Sequence, residues 1–173
     1  MGGDEAQERK VTARAPHGAP HLMLALYQPD IAQNAGTLLR MCACLDVEAA
    51  LIGPTGFAWG DRSLRRAGMD YLDHVRLSRH ACFEDFEIWR RAQRPPRRLV
   101  LLTTKSPLSY LDVRFHEGDV LMVGRESAGV PEETAAKADL AASIPMQAGM
   151  RSLNVAIAAA IALGEALRQL RNA

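Results

Sequence analysis

The sequence predicts a parallel α/β sheet with helices on both faces, and two patterns in it predict that class. The apolar runs are continuous rather than alternating, as strands covered on both sides require. Between them lie segments whose apolar residues recur at helical spacing, so strand and helix alternate along the chain.

The first run, "LMLALY" at 22–27, reads as a buried strand. "QPD" follows, and Asp30 is placed to cap a helix over 31–45, whose stripe is Ile31, Leu38, Leu39, Cys42 and Leu45. "VEAALIG" at 47–53 is the next strand, ended by Gly53-Pro54. Asp61 caps the short basic helix "GDRSLRRAGM". "HVRLS" is a short strand, and "FEDFEIWRRAQ" an amphipathic helix that stops before Pro95-Pro96. "RLVLLTT" at 98–104 and "GDVLMVG" at 118–124 are buried strands. Pro131 suits the first position of the helix "PEETAAKA". "LAASIPM" is the last strand, and residues 152–171 form the last helix, with Ser152 as its N-cap.

The first 20 residues are polar and lack the apolar segment of a signal peptide, so they predict a flexible tail before a single domain at 21–173. The longest apolar run, "VAIAAAIALG", is half of what a membrane span needs (roughly 20 residues), and Glu165 and Arg168 follow it. It predicts a buried helix and no membrane partner. A net charge of +1 excludes a global polycation or an acidic tail. Cys42, Cys44 and Cys82 form no zinc-type spacing with histidine, so they read as reduced core cysteines of a cytoplasmic protein, with no metal.

Ligands of such sheets bind outside the carboxyl ends of the strands. No Gly-rich dinucleotide loop and no Walker lysine follows any strand here. Three other strand exits combine glycine with polar side chains. "PDIAQNAGTLLRMC" places Asn34 and Arg40 near a helix start, either a phosphate site or a capped surface helix with a solvated arginine. "LMVGRESAGVPEE" holds Glu126 between Gly124 and Gly129, where it locks a loop or simply sits in a tight connection. "IPMQAGMRSLN" brings Arg151, Ser152 and Asn154 against the most apolar helix, more polar groups than one cap requires.

"NAGTLLR", "GRESAGVP" and "IPMQAGMRSLNVAIAAAIALGEALRQL" resemble the three ordered motifs of the SPOUT RNA methyltransferases, in their TrmH-like branch. "LYQPDIAQNAGTLLRMCA", "PTGFAWGDRSLRRAGMDY" and "LTTK" resemble the small TrmL-type subfamily, tRNA 2′-O-methyltransferases of the anticodon wobble nucleotide. The resemblance covers about residues 22–171. It implies a C-terminal trefoil knot, a homodimer, S-adenosylmethionine as methyl donor and a tRNA anticodon stem-loop as substrate.

By the same resemblance Leu102, Thr103, Gly124, Ile144, Met146, Ser152 and Leu153 hold the cofactor. Arg40 matches an arginine implicated in activating the ribose 2′-hydroxyl. A guanidinium is a poor base, so Arg40 is expected to organise a phosphate and the nucleophile. Asn34, Glu126, Ser152 and Asn154 take positioning roles, and Arg40 and the cofactor are expected to come from different protomers. Gly164 stands where the subfamily often has an aromatic residue.

RNA contact is expected from Arg62, Arg65 and Arg66, which share one helix face, and from Arg151. A second basic run, Arg90, Arg91, Arg94, Arg97 and Arg98, holds no acid and reads equally as RNA-facing or as solvated surface. Two alternatives stay open: methylation of another tRNA position or of ribosomal RNA, and a knotted RNA-binding dimer without chemistry.

Overall fold

A computed structural model describes residues 21–171; the tail expected at 1–20 lies outside the described residues. The elements are β1 (Met23–Tyr27), α1 (Ala32–Leu45), β2 (Glu48–Ile52), α2 (Arg62–Gly68), β3 (Leu77–His80), α3 (Phe83–Ala92), β4 (Leu99–Leu102), β5 (Val120–Val123), α4 (Glu132–Ala135), β6 (Leu140–Ala142) and α5 (Val155–Arg171). The strands form one six-stranded sheet in the order β3-β2-β1-β5-β4-β6. Every pairing is parallel, with Leu24 of central β1 opposite Ala49 on one side and Leu121 on the other.

Side-chain alternation splits the core. Leu22, Leu24 and Leu26 face α1, α2 and α5, together with Leu38, Leu64 and Leu163. Met23, Ala25 and Tyr27 face α3 and α4, with Phe83 and Phe86. Both faces of β1 are therefore buried, and its continuous apolar run follows from that.

Four local expectations are corrected. Asp30 does not cap α1; the residue before the helix is Ile31, which is exposed and makes no side-chain cap, while the Asp30 carboxylate turns to the loop after β5. The last helix begins at Val155, and its cap is Asn154, whose Oδ1 accepts from the N–H groups of Ala156 (2.8 Å) and Ile157 (3.3 Å). Ser152 is left free of that task. Of the cysteines only Cys42 is buried; Cys44 is exposed and Cys82 half-buried.

The fourth correction concerns the second basic run. Arg90 is 3% exposed and donates to Glu87 through Nε (2.9 Å) and Nη2 (2.7 Å), and to Asp139 through Nη1 (2.7 Å). Asp139 also accepts the N–H of Leu99, so Arg90 ties α3 to the edges of β4 and β6. Arg91 pairs with Glu87, Arg97 with Glu48 and Arg98 with Asp119. The run is mostly internal fastening: Glu87 lies on the same helix, while Asp139, Glu48 and Asp119 come from distant parts of the chain.

Candidate functional site

A cavity of about 570 Å³ opens at the carboxyl ends of β4, β5 and β6. Leu102 and Thr103 line it from the end of β4, and Gly124 and Glu126 from the loop after β5. Ile144, Met146, Arg151, Ser152, Leu153 and Asn154 line it from the segment joining β6 to α5. Asn34 closes it from the first turns of α1. The structure thus brings together all seven residues expected at the cofactor and four of the five expected at the chemistry.

Hydrogen bonds fasten three loops into this wall. The Asp30 N–H and Asn34 Nδ2 each donate to Glu126, at 3.1 Å to Oε2 and 3.1 Å to Oε1. The Glu126 N–H returns a bond to Asp30 Oδ1 at 3.1 Å, and the Ser127 hydroxyl donates to Asp30 Oδ2. Asn154 Nδ2 donates to Asn34 Oδ1 at 3.1 Å while its own Oδ1 caps α5. One amide side chain thereby joins the last loop to the first. Hydrogen bonding with the Glu126 side chain draws Asp30 down to about 2, whereas burial pushes Glu126 above the usual carboxylate range.

Gly124 is required by close approach. A Cβ there would lie 2.6 Å from the carbonyl carbon of Gly129 and 2.9 Å from its Cα. Arg125 and Gly129 exchange two backbone hydrogen bonds across this turn, and Gly129 holds a φ of 66°. The turn presents its inner backbone to the cavity.

Arg40 lies elsewhere. It projects from the exposed side of α1, with its guanidinium 5.1 Å from the centre of the Tyr71 ring and Nη1 3.2 Å from the Met69 sulfur. Among the described residues it has no carboxylate partner. Arg62, Arg65 and Arg66 are exposed on α2, which Asp61 caps through the Ser63 and Leu64 N–H groups. Arg151 is exposed at the mouth of the cavity.

Two participants escaped the sequence reading. Asp30 is the hub of the loop junction, but an acid before a helix reads first as a cap. Arg125 lines the cavity beside Gly124, its guanidinium 5.8 Å from the Tyr27 ring centre and its Nε buried without a partner among the described residues. Its position directly after a strand-end glycine was the available signal.

Residues 21–164 match the SpoU rRNA Methylase family. A tRNA (cytidine(34)-2′-O)-methyltransferase of Beijerinckia indica is 61% identical over 148 residues, covering 86% of this chain and 91% of that protein. A solved structure described as giving structural insights into the 2-OH methylation of C/U34 on tRNA superposes with a TM-score of 0.83 at 41% identity, over 90% of this chain and 100% of the other. The SpoU methyltransferase AviRb of Streptomyces viridochromogenes, in complex with the cofactor AdoMet, superposes with a TM-score of 0.80 at 26% identity, over 89% of this chain and 59% of that one.

Proposed function

This chain belongs to the SpoU rRNA methylase family, and we propose from that premise that it methylates the ribose 2′-hydroxyl of the tRNA wobble nucleotide, cytidine or modified uridine, using S-adenosylmethionine. The observation that carries the reading is the cavity of about 570 Å³, in which three strand-end loops meet and are fastened by Asn34, Glu126 and Asn154. Its size and its mixture of groups fit the cofactor. Leu102, Ile144 and Leu153 offer apolar surface for a purine face, while Thr103 and the strand-end backbone at Gly124 offer polar atoms for a ribose. The bound cofactor supplies an electrophilic methyl group on a sulfonium. The protein supplies orientation, which accounts for much of the rate in such a displacement. Asn34, Glu126 and Asn154 hold the loops in place, Met146 and Leu153 shield the donor side from water, and Ser152, free of capping, faces the reacting groups.

The methyl acceptor needs a group opposite this wall, and Arg40 of the same protomer is on another surface. Ile31, Met150, Leu153, Ile157 and Ile161 are large apolar side chains left exposed around the cavity mouth and along α5. A second copy covering this face forms the homodimer and brings Arg40 of the partner subunit to the cavity. There its permanent charge holds the RNA phosphate and orients the 2′-hydroxyl. The segment between β4 and β5 lies across Ser143 through the Tyr110 and Ser143 N–H groups, and across α5 through Gln169. On this reading the C-terminal segment passes beneath this strap and forms the trefoil knot. Arg62, Arg65, Arg66 and Arg151 hold RNA phosphates. Among the described residues no helix is long and apolar enough to cross a membrane, in keeping with a cytoplasmic tRNA enzyme.

The test is incubation with labelled S-adenosylmethionine and tRNA lacking the modification, followed by mapping of the label. Label on the wobble ribose is the expected outcome; label at another nucleotide overturns the assignment of position. Arg40→Ala should lose transfer by at least about 100-fold, the scale of one transition-state donor, while cofactor binding measured by calorimetry is unchanged. A fully active Arg40→Ala enzyme removes the role given to it.

A further inference from the structure

A second hollow, of about 390 Å³, lies at the carboxyl ends of β2 and β3 and plays no part in the chemistry above. Gly53, Pro54 and Thr55 form one wall, and Arg79, His80 and Ala81 the other. The floor is closed by backbone. The Gly53 N–H donates to the His80 carbonyl at 2.9 Å, and a Cβ on Gly53 would come within 2.8 Å of the Ala81 carbonyl oxygen. His80 is held from behind, its Nε2 3.1 Å from the Ser78 hydroxyl and its ring edge-on to Phe86.

The rim carries a cation on an aromatic platform. The Arg79 guanidinium lies 4.8 Å from the centre of the Trp59 ring, and Trp59 is itself seated on the hydrophobic core. Arg79 is exposed and makes no ion pair among the described residues. Arg76, three residues earlier, is neutralised by Asp46 and Glu48, as Arg97 and Arg98 are by Glu48 and Asp119. Arginines near the amino ends of the strands are thus paired, while Arg79, at the carboxyl edge, is left unpaired over the Trp59 ring. Arg62, Arg65 and Arg66, likewise unpaired among the described residues, follow on α2, after the loop that leaves this hollow.

The hollow and the large cavity share one edge of the sheet. The order β3-β2-β1-β5 separates them by three strand spacings, about 14 Å. The ground between is continuous. A Cβ on Gly56 would lie 2.8 Å from the Asp30 Cα, and Asp30 is bonded to Glu126 and Ser127 at the cavity wall. A short run of unpaired nucleotides spans that distance. Proteins recognise such nucleotides by stacking splayed bases on aromatic rings and on arginine planes.

We propose that this hollow is a binding subsite for an unpaired RNA nucleotide flanking the modified one, its base stacked on the Arg79 guanidinium that Trp59 holds in place. The inference rests on the reading that the chain acts on tRNA.

Tight-binding measurements at one fixed salt concentration test it, using unmodified tRNA as the probe and S-adenosylmethionine as the control ligand. Arg79→Ala should weaken tRNA binding about 10-fold, the loss expected for one stacked base, with cofactor binding unchanged. Ala81→Glu, at an exposed position in the hollow, should weaken it by a similar factor. Arg94→Ala, at an exposed arginine away from this edge, should leave it unchanged. Arg79→Lys separates stacking from simple charge, because an ammonium keeps the charge but has no plane to stack on. It should recover less than half of the lost affinity. Full recovery with lysine, or wild-type affinity in Arg79→Ala, overturns the subsite while leaving the methyltransferase reading intact. Failure of the wild-type protein to bind or methylate tRNA overturns both.

Discussion

Asp30 and Glu126 act on each other from opposite sides of the cavity wall, and their charges respond to pH with opposite signs. The pKa of Asp30 is depressed to about 2, so its support for the fold is complete above the ordinary carboxylate range and is lost as pH falls through about 2. Burial raises that of Glu126, so its ionised form weighs against the fold at neutral pH and protonation relieves it. Carboxyl carbon shifts in an NMR titration should therefore give Asp30 a midpoint near 2, and Glu126 one above the usual glutamate range. In Asp30→Asn the Glu126 midpoint should fall, because hydrogen bonding with Asp30 helps to raise it. An Asp30 that titrates like a free aspartate contradicts the Asp30–Glu126 junction. Asn34, Glu126 and Asn154 could be singled out from sequence because each stands at a strand exit near glycine. Asp30 could not, since its partner is 96 residues away and a nearer use, capping, was available.

Helix and strand positions follow from pattern, and their ends do not. Ser152 and Asn154 are equally able caps by residue type; only the path from β6 decides that Asn154 takes the role, and with it the bond to Asn34. The arginines near α3 show a similar limit. A run without acids looks like surface, yet Arg90 is buried against Glu87 and Asp139, and Asp139 reaches it from 49 residues away. Removing one member of a buried, hydrogen-bonded pair strands the other charges. Arg90→Ala should therefore lower unfolding stability by about 3–5 kcal/mol in urea denaturation. Arg94→Ala, exposed nearby, should change it by less than about 0.5 kcal/mol. Equal effects would mean that the Arg90 network contributes nothing beyond surface charge.

Alternation of strand and helix fixes a parallel sheet covered on both faces, but it carries no information about threading or about a second copy. Those properties depend on which segment passes outside which, and on apolar surface that looks like core until the fold shows it uncovered. On α5, Ala156, Ala159, Ala162 and Leu163 are buried, whereas Ile157 and Ile161 on the opposite stripe are not. Gly164 belongs to the exposed side, with no atom within 4 Å of an added Cβ, so a larger residue there meets no clash within its own protomer. If two copies share this face, each active site combines a cavity from one protomer with Arg40 from the other, and the two halves are genetically separable. Gly124→Ala should abolish cofactor binding, because its Cβ meets backbone at 2.6 Å. Arg40→Ala should abolish transfer with cofactor binding intact. Neither variant is active alone. Mixed and allowed to exchange subunits, they form heterodimers in half of the molecules, each with one site made of two unaltered halves. The mixture should recover about a quarter of the wild-type activity, as the symmetry of an isologous dimer requires. Recovery should disappear when Ile157→Glu is added to both chains, which places a charge in the shared face. If the mixture stays inactive although exchange is shown by mass spectrometry, Arg40 and the cavity serve the same protomer, and the arginine must reach it by a movement of α1.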